Sequence, residues 1–272
     1  MGIDATGTDW VNAIEVRNLI KHYPHGTRPA LKGLSLQVAK GEFFGLLGKN
    51  GAGKTTLVSI LCGMLDEYEG SAAVAGCDLA QGFDPLRSRI GIVPQNLALY
   101  EDLTPRENLS YFGGLYRLQG AVLRERVAEC LRMTNLETRA DTRVSRLSGG
   151  MQRLANLAAA LVHKPEILFL DEPTLGIDVH TRKDIIEVLA QLNRQGMTLL
   201  FTTHYMGEVQ DYFSKVAIID EGALLAHGSI PELRAAYPRC RDLEELFFTL
   251  TGGYDKNDEA APAAFPGRGG VA

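Results

Sequence analysis

Cysteine is scarce in this chain of 272 residues, with only Cys62, Cys77, Cys130 and Cys240, and no two form a Cys-x-x-Cys pair. Four reduced and mostly buried thiols of a cytosolic protein are therefore expected. Long apolar runs are missing too, because none approaches the roughly 18–20 residues that span a bilayer. The richest stretches, Leu154–Val162 and Ile167–Leu170, are separated by His163-Lys164-Pro165-Glu166. The N-terminus has no basic start followed by an apolar core, so no signal peptide is expected. Any membrane role must come through a partner. Basic charge is not in excess either: 28 Lys and Arg stand against 33 Asp and Glu, a formal net charge of −5. That balance argues against nonspecific binding to nucleic acid or anionic lipid. No internal repeat is visible.

What is present fits one large α/β domain or two small ones, at 45% hydrophobic and 22% charged residues. Ile14 and Val16 alternate with Glu15 and Arg17, and Leu34, Leu36 and Val38 with Ser35, Gln37 and Ala39. Period two predicts half-buried strands in an antiparallel layer. Phe43–Leu47 is continuously apolar and ends at Gly48, which suits a strand buried on both faces. Leu57, Ile60, Leu61 and Met64 follow at helical spacing and predict one apolar helix face. From about Asn96 to Leu147 the pattern turns helical and arginine-rich. It opens with the capping box Thr104-Pro105-Arg106-Glu107 and continues in the stripe Leu123, Val127, Cys130, Leu131. Strands resume at Ile167–Leu170 and Thr198–Thr202, and Ser229-Ile230-Pro231-Glu232 caps a late helix. Residues 1–12 read as a loose leader. The tail from Tyr254 onward is Ala, Pro, Gly and charge, and is expected to be disordered.

Two phosphate-binding devices stand out. Gly48-Lys49-Asn50-Gly51-Ala52-Gly53-Lys54-Thr55 fits G-x-x-x-x-G-K-[ST] between a buried strand and an apolar-striped helix, with Thr56 next in line. Its glycines let backbone N–H groups surround phosphates, and the helix N-terminus adds favourable partial charge. Lys54 is expected to reach the β- and γ-phosphates, and Thr55 to offer its hydroxyl to Mg²⁺. Ile167–Leu170 delivers Asp171 and Glu172 at the carboxyl edge of a sheet, where α/β proteins bind ligands. Asp171 is expected to hold Mg²⁺ as the second acid motif of P-loop ATPases does, and Glu172 to act as general base toward the attacking water. The second device is Leu147-Ser148-Gly149-Gly150-Met151-Gln152. Ser148 is a good N-cap, and Gly149 and Gly150 expose N–H groups at the start of an apolar helix. One nucleotide site has no obvious use for both devices, so the second suits the γ-phosphate of ATP on another copy.

That combination resembles the ATP-binding subunit of an ABC transporter, over roughly Ala13 to Leu250. The Gly-Gly-Met pattern and the stretch Asp242–Leu250 resemble the drug- and antibiotic-resistance exporter branch. The resemblance implies an α/β P-loop ATPase core with a mainly parallel sheet and an N-terminal antiparallel β layer. It also implies an inserted helical subdomain at about 96–162, within a domain spanning 13–250 and followed by a tail at 251–272. It implies that His204 contacts the γ-phosphate, that Gln95 touches Mg²⁺ and the water, and that Tyr23 stacks on adenine. Asp178, in Leu175-Gly176-Ile177-Asp178, would couple two sites across a dimer. Three positions depart from the common pattern: Lys49 replaces proline, with its side chain expected in solvent; Met151 replaces glutamine; and Gly176 replaces alanine.

The function so implied is ATP hydrolysis with Mg²⁺ by a head-to-tail homodimer of ATP-binding subunits. The dimer would power a separate integral membrane permease, for export. The subunit would then be cytoplasmic and peripheral on the inner face of the membrane, with no nucleic-acid partner. Leu97–Leu103 reads equally as a surface loop or as the seat for a short helix of that permease. The rival is a soluble ABC-type ATPase acting on ribosomes or DNA, whose relatives usually carry two such domains or long insertions. A nucleotide-binding regulatory module without catalysis is a further alternative, against which Asp171, Glu172 and His204 speak.

Overall fold

The computed structural model describes residues 11–24, 26–205 and 210–252. In chain order the strands and helices begin with β1 (Asn12–Lys21), β2 (Leu31–Ala39), β3 (Phe43–Leu47), α1 (Lys54–Leu61), β4 (Glu69–Val74), β5 (Cys77–Asp78) and β6 (Ile90–Val93). Three helices follow, α2 (Pro105–Leu115), α3 (Gly120–Met133) and α4 (Gly149–Leu161). The chain then runs through β7 (Ile167–Asp171), α5 (Val179–Arg194), β8 (Thr198–Thr203), β9 (Lys215–Asp220), β10 (Ala223–Gly228), α6 (Ile230–Ala236) and α7 (Leu243–Thr251).

The strands form two sheets. The four-stranded antiparallel one has the order β2-β1-β4-β5, and the six-stranded one has the order β10-β9-β3-β8-β7-β6. In the latter only the edge pair β10–β9 is antiparallel; the other four pairings are parallel. Opposite faces of the parallel strands serve opposite layers, which is why their sequences are continuously apolar. Phe44 and Leu46 of β3 and Phe169 of β7 join the core between the sheets, where α1 inserts Leu57, Ile60 and Leu61. Phe43, Leu47, Leu168 and Leu170 face the other way, into a core shared with the helices. Both faces being covered, the sheet presents only its edges and strand ends to solvent, and the P-loop and Asp171–Glu172 lie at one such end.

The caps behave as their sequences dictate. Thr104 and Ser229 each close a reciprocal capping box, with Glu107 and Glu232 respectively, and so satisfy helix N–H groups that have no partner inside the helix. Buried Arg126 of α3 donates through Nε to the Val162 carbonyl at 3.0 Å and ties α3 to the end of α4.

Three local expectations need correction. Met64 does not continue the α1 stripe: the helix stops at Leu61, and Met64 is 57% exposed. Gly63, with φ +67°, supplies the left-handed turn that ends it. Asn12, assigned to the leader, already lies in β1, and Thr251, assigned to the tail, is the last residue of α7. The disorder expected from Tyr254 onward falls outside the described residues.

Candidate functional site

A cleft of about 600 Å³ opens where β3, β7 and β8 end, lined by Tyr23, Lys49 to Thr56, Gln95, Glu172 and His204. The turn after β3 wraps into the N-terminus of α1, whose cap residue Gly53 has φ +106°. A Cβ there would sit 2.7 Å from the Ala30 carbonyl oxygen, so glycine is required both by conformation and by space. Tyr23, in the β1–β2 connection, is partly exposed, and its hydroxyl lies 3.3 Å from the Thr56 hydroxyl. An aromatic face thus stands beside the phosphate loop.

The floor of the cleft is a buried polar network. Lys54 Nζ stands 3.0 Å from Glu172 Oε1, with both side chains less than a tenth exposed, and also donates to the Gly48 carbonyl at 2.7 Å. His204 Nδ1 lies 3.0 Å from the other Glu172 oxygen. Burial raises the Glu172 pKa, but the His204 hydrogen bond and the Lys54 charge outweigh it and hold the carboxyl below its ordinary value. Glu172 is therefore an anion at neutral pH, as a proton acceptor must be. Its backbone takes a left-handed φ of +47°, unusual for a residue with a side chain.

Thr202, fully buried in β8, fixes both acids, and the sequence offered no warning of it. Its hydroxyl donates to Asp171 Oδ1 at 2.7 Å and accepts the Glu172 N–H at 3.0 Å. The other Asp171 oxygen accepts from the Thr55 hydroxyl at 2.9 Å. Thr202→Val keeps the shape and removes that clamp. ATP turnover is expected to fall about tenfold with ATP affinity little changed, since misplacement at a reacting centre is costly while phosphate contacts lie elsewhere. Steady-state kinetics beside direct binding would check this, and an unchanged kcat would remove Thr202 from the site.

Ser148, Gly149, Gly150 and Asp178 do not line this cleft. They form a second cluster at the start of α4 and α5. Ser148 caps α4 through the Met151 N–H, and Asp178 caps α5 through the Thr181 N–H. The Thr181 hydroxyl donates to Asp178 at 2.7 Å and packs against Gly150, where a Cβ would come within 2.4 Å of it. Gly150 is thus required by the fold of its own chain. Gly149 is not: a Cβ there meets nothing within 4 Å.

Gln95 is exposed at the mouth of the cleft, and its loop is held from behind by residues absent from the sequence-based expectations. Arg153 of α4 donates to the Gln95 carbonyl, and Asn156 of α4 accepts the Ala98 N–H at 3.2 Å. Asn108 of α2 brackets Tyr100 through both backbone groups, at 2.9 and 3.0 Å. In front of this clamp, Tyr100 and Tyr111 expose a T-shaped ring pair with centroids 5.0 Å apart. Lys49 departs from expectation. Its side chain is half-buried, and Nζ donates to the Thr251 carbonyl at 2.8 Å instead of facing solvent.

Residues 31–175 match the family model described as ABC transporter. The chain belongs to the ABC transporter family. Among the relatives of this ABC ATPase is the linearmycin resistance ATP-binding protein LnrL of Bacillus subtilis (strain 168). It is 42% identical over 220 residues, which cover 81% of this chain and 70% of LnrL. The Nod factor export ATP-binding protein I of Paraburkholderia xenovorans (strain LB400) is 42% identical over 235 residues, covering 86% of this chain and 76% of that one. A dimeric ATP-binding cassette solved in a post-hydrolysis state with ADP and Pi superposes with a TM-score of 0.71 at 30% identity. The match covers 79% of this chain and 98% of that one. The α/β P-loop architecture expected from the sequence is borne out. The protein is the ATP-hydrolysing subunit of an ABC transporter. Among its described residues no helix is long and apolar enough to cross a membrane.

Proposed function

We propose that two copies of this ABC ATPase close head to tail over two ATP molecules and thereby drive a separate membrane permease that exports its substrate. The observation that carries the dimer reading is the contrast at the start of α4. Gly149 is exposed and sterically unconstrained beside the Ser148 cap, which leaves the N-terminus of α4 open to a phosphate from outside its own chain. The export direction draws on relatives named for resistance and for export.

In the cleft, Tyr23 offers its ring to the adenine, and Lys49 to Thr56 with Gly48 cradle the phosphates, Lys54 neutralising their charge. Thr55 and Asp171 stand side by side, with Gln95 in the same cleft, and together they offer hard oxygen donors suited to Mg²⁺, which when bound would supply charge neutralisation at the phosphates. Glu172 accepts the proton of the water that attacks the γ-phosphorus as the bond to the β-phosphate oxygen breaks. His204, within hydrogen-bond reach of Glu172, keeps the carboxylate aimed. Ser148, Gly149 and Gly150 supply N–H and hydroxyl donors to the γ-phosphate of the partner copy, with Asp178 beside them. The exposed Tyr100–Tyr111 pair and the Leu97–Leu103 loop offer the permease a surface on the cytoplasmic side of the membrane.

The test is affinity purification of tagged Glu172→Gln with ATP from gently solubilised cells. Recovery of a polytopic membrane protein supports the transporter reading and delivers the subunit that holds substrate specificity. Recovery from the soluble fraction alone, with ribosomal or DNA-bound proteins, overturns it.

A further inference from the structure

We infer that Lys49 is a positioning residue that makes the phosphate loop, and with it ATP affinity, depend on the docking of the C-terminal helix α7. The two are 202 residues apart in sequence, yet Lys49 Nζ donates to the Thr251 carbonyl at 2.8 Å. Thr251 is buried and ends α7, where backbone carbonyls lack partners inside the helix and carry partial negative charge. An ammonium is the favoured cap there. Gly252, left-handed at φ +79°, closes the helix behind it.

The far end of the link is firm. Leu243, Leu246 and Phe247 anchor α7 in the core that also takes Phe43 and Leu47 of β3. The near end is the loop itself. The Lys49 carbonyl accepts the Ala52 N–H at 3.1 Å and Lys54 Nζ at 3.2 Å. A continuous polar path therefore runs from the end of α7 through Lys49 to Lys54, and from Lys54 to Glu172 at 3.0 Å. Holding the Lys49 side chain holds the peptide to which both the turn and Lys54 are bound.

The inference rests on the cleft being the ATP site, and its test separates the two. Coupling is reciprocal: if α7 tightens the loop for ATP, then ATP must tighten α7. Amide hydrogen exchange of 243–252, measured with and without Mg-ATP in a Glu172→Gln background, is expected to slow on binding. Lys49→Met is expected to abolish that slowing and to raise the Kd for a fluorescent ATP analogue about fivefold, while Lys49→Arg restores both. A Lys49→Met protein with unaltered affinity, or one whose α7 still responds to ATP in full, overturns the inference. So does an unresponsive α7 in the parent, which needs no Lys49 variant to fold. In the last case, ATP binding read in the same sample leaves the cleft assignment standing, whereas absence of binding removes both.

Discussion

Glu172→Gln is expected to lower ATP turnover about a thousandfold while leaving ATP binding intact, the magnitude carried by loss of a general base in phosphoryl transfer. The amide fits the space of the carboxylate, so the fold around it survives. What disappears is the anion that stands 3.0 Å from Lys54. Lys54 keeps the carbonyls of Gly48 and Lys49, at 2.7 and 3.2 Å, and its charge is freed to face the triphosphate. Binding is therefore expected to hold or tighten, and the ATP-bound dimer to accumulate on size exclusion. Without nucleotide the variant should melt lower, because a buried cation has lost its counter-charge. The sign with pH follows from the depressed pKa. The carboxylate's contribution to stability is present above the ordinary Glu range and is lost as pH falls through its own lower value. The gap in Tm between parent and variant should accordingly begin to narrow as pH falls below the ordinary Glu value, about 4.3, and close at lower pH still. Parental turnover in the variant would remove Glu172 from the role of base.

Gly149→Asp is expected to fold as well as the parent yet to lose ATP-driven dimerisation and about a hundredfold or more of turnover, the scale of losing preorganised donors to a reacting phosphate. A Cβ at this position meets nothing, and an acidic residue in the first turn of α4 opposes no charge of the helix but complements it. Stability is thus predicted to be unchanged or slightly raised. A carboxylate on that exposed surface nevertheless repels a γ-phosphate brought up by a second copy. Each monomer still binds its own ATP, since Gly149 lies outside the Tyr23–Thr56 cleft. Melting curves, nucleotide binding and size exclusion with ATP would separate the three effects. Dimerisation at parental strength would show that α4 does not meet the neighbour's phosphate. The contrast is Gly150→Ala, which clashes with Thr181 inside its own chain and could fail for structural reasons alone.

The parts of this molecule that were readable from sequence are those whose physics is local. A strand buried on both faces is apolar at every position, a capping box spans four residues, and a phosphate loop carries its glycines in a row. Asp171 and Glu172 were readable because a buried strand delivers them to the edge where ligands bind. Thr202 was not, because a threonine in an apolar strand looks like any β-branched filler until its hydroxyl is seen between the two acids. Asn156 did leave a trace, an amide inside the apolar run Leu154–Leu161, but its partner Ala98 lies 58 residues away. Lys49 misled for a related reason: its acceptor is a backbone carbonyl, which no side-chain pattern marks. Met64 differs in kind: its spacing continues the α1 stripe, but the left-handed Gly63 stops the helix before it.

The helix α4 sets one further constraint. Ser148 and Gly149 sit at its tip, while Arg153 and Asn156, one and two turns on, grip the backbone that carries Gln95. From Ser148 to Asn156 a rigid helix is only about 12 Å long. A rod so short has no slack, so whatever tilts its tip must tug the loop at the mouth of the chain's own nucleotide site in the same instant. In the head-to-tail pair proposed above, two such chains would be geared like a pair of meshed wheels, each α4 tip passing the state of the neighbour's phosphate to its own cleft.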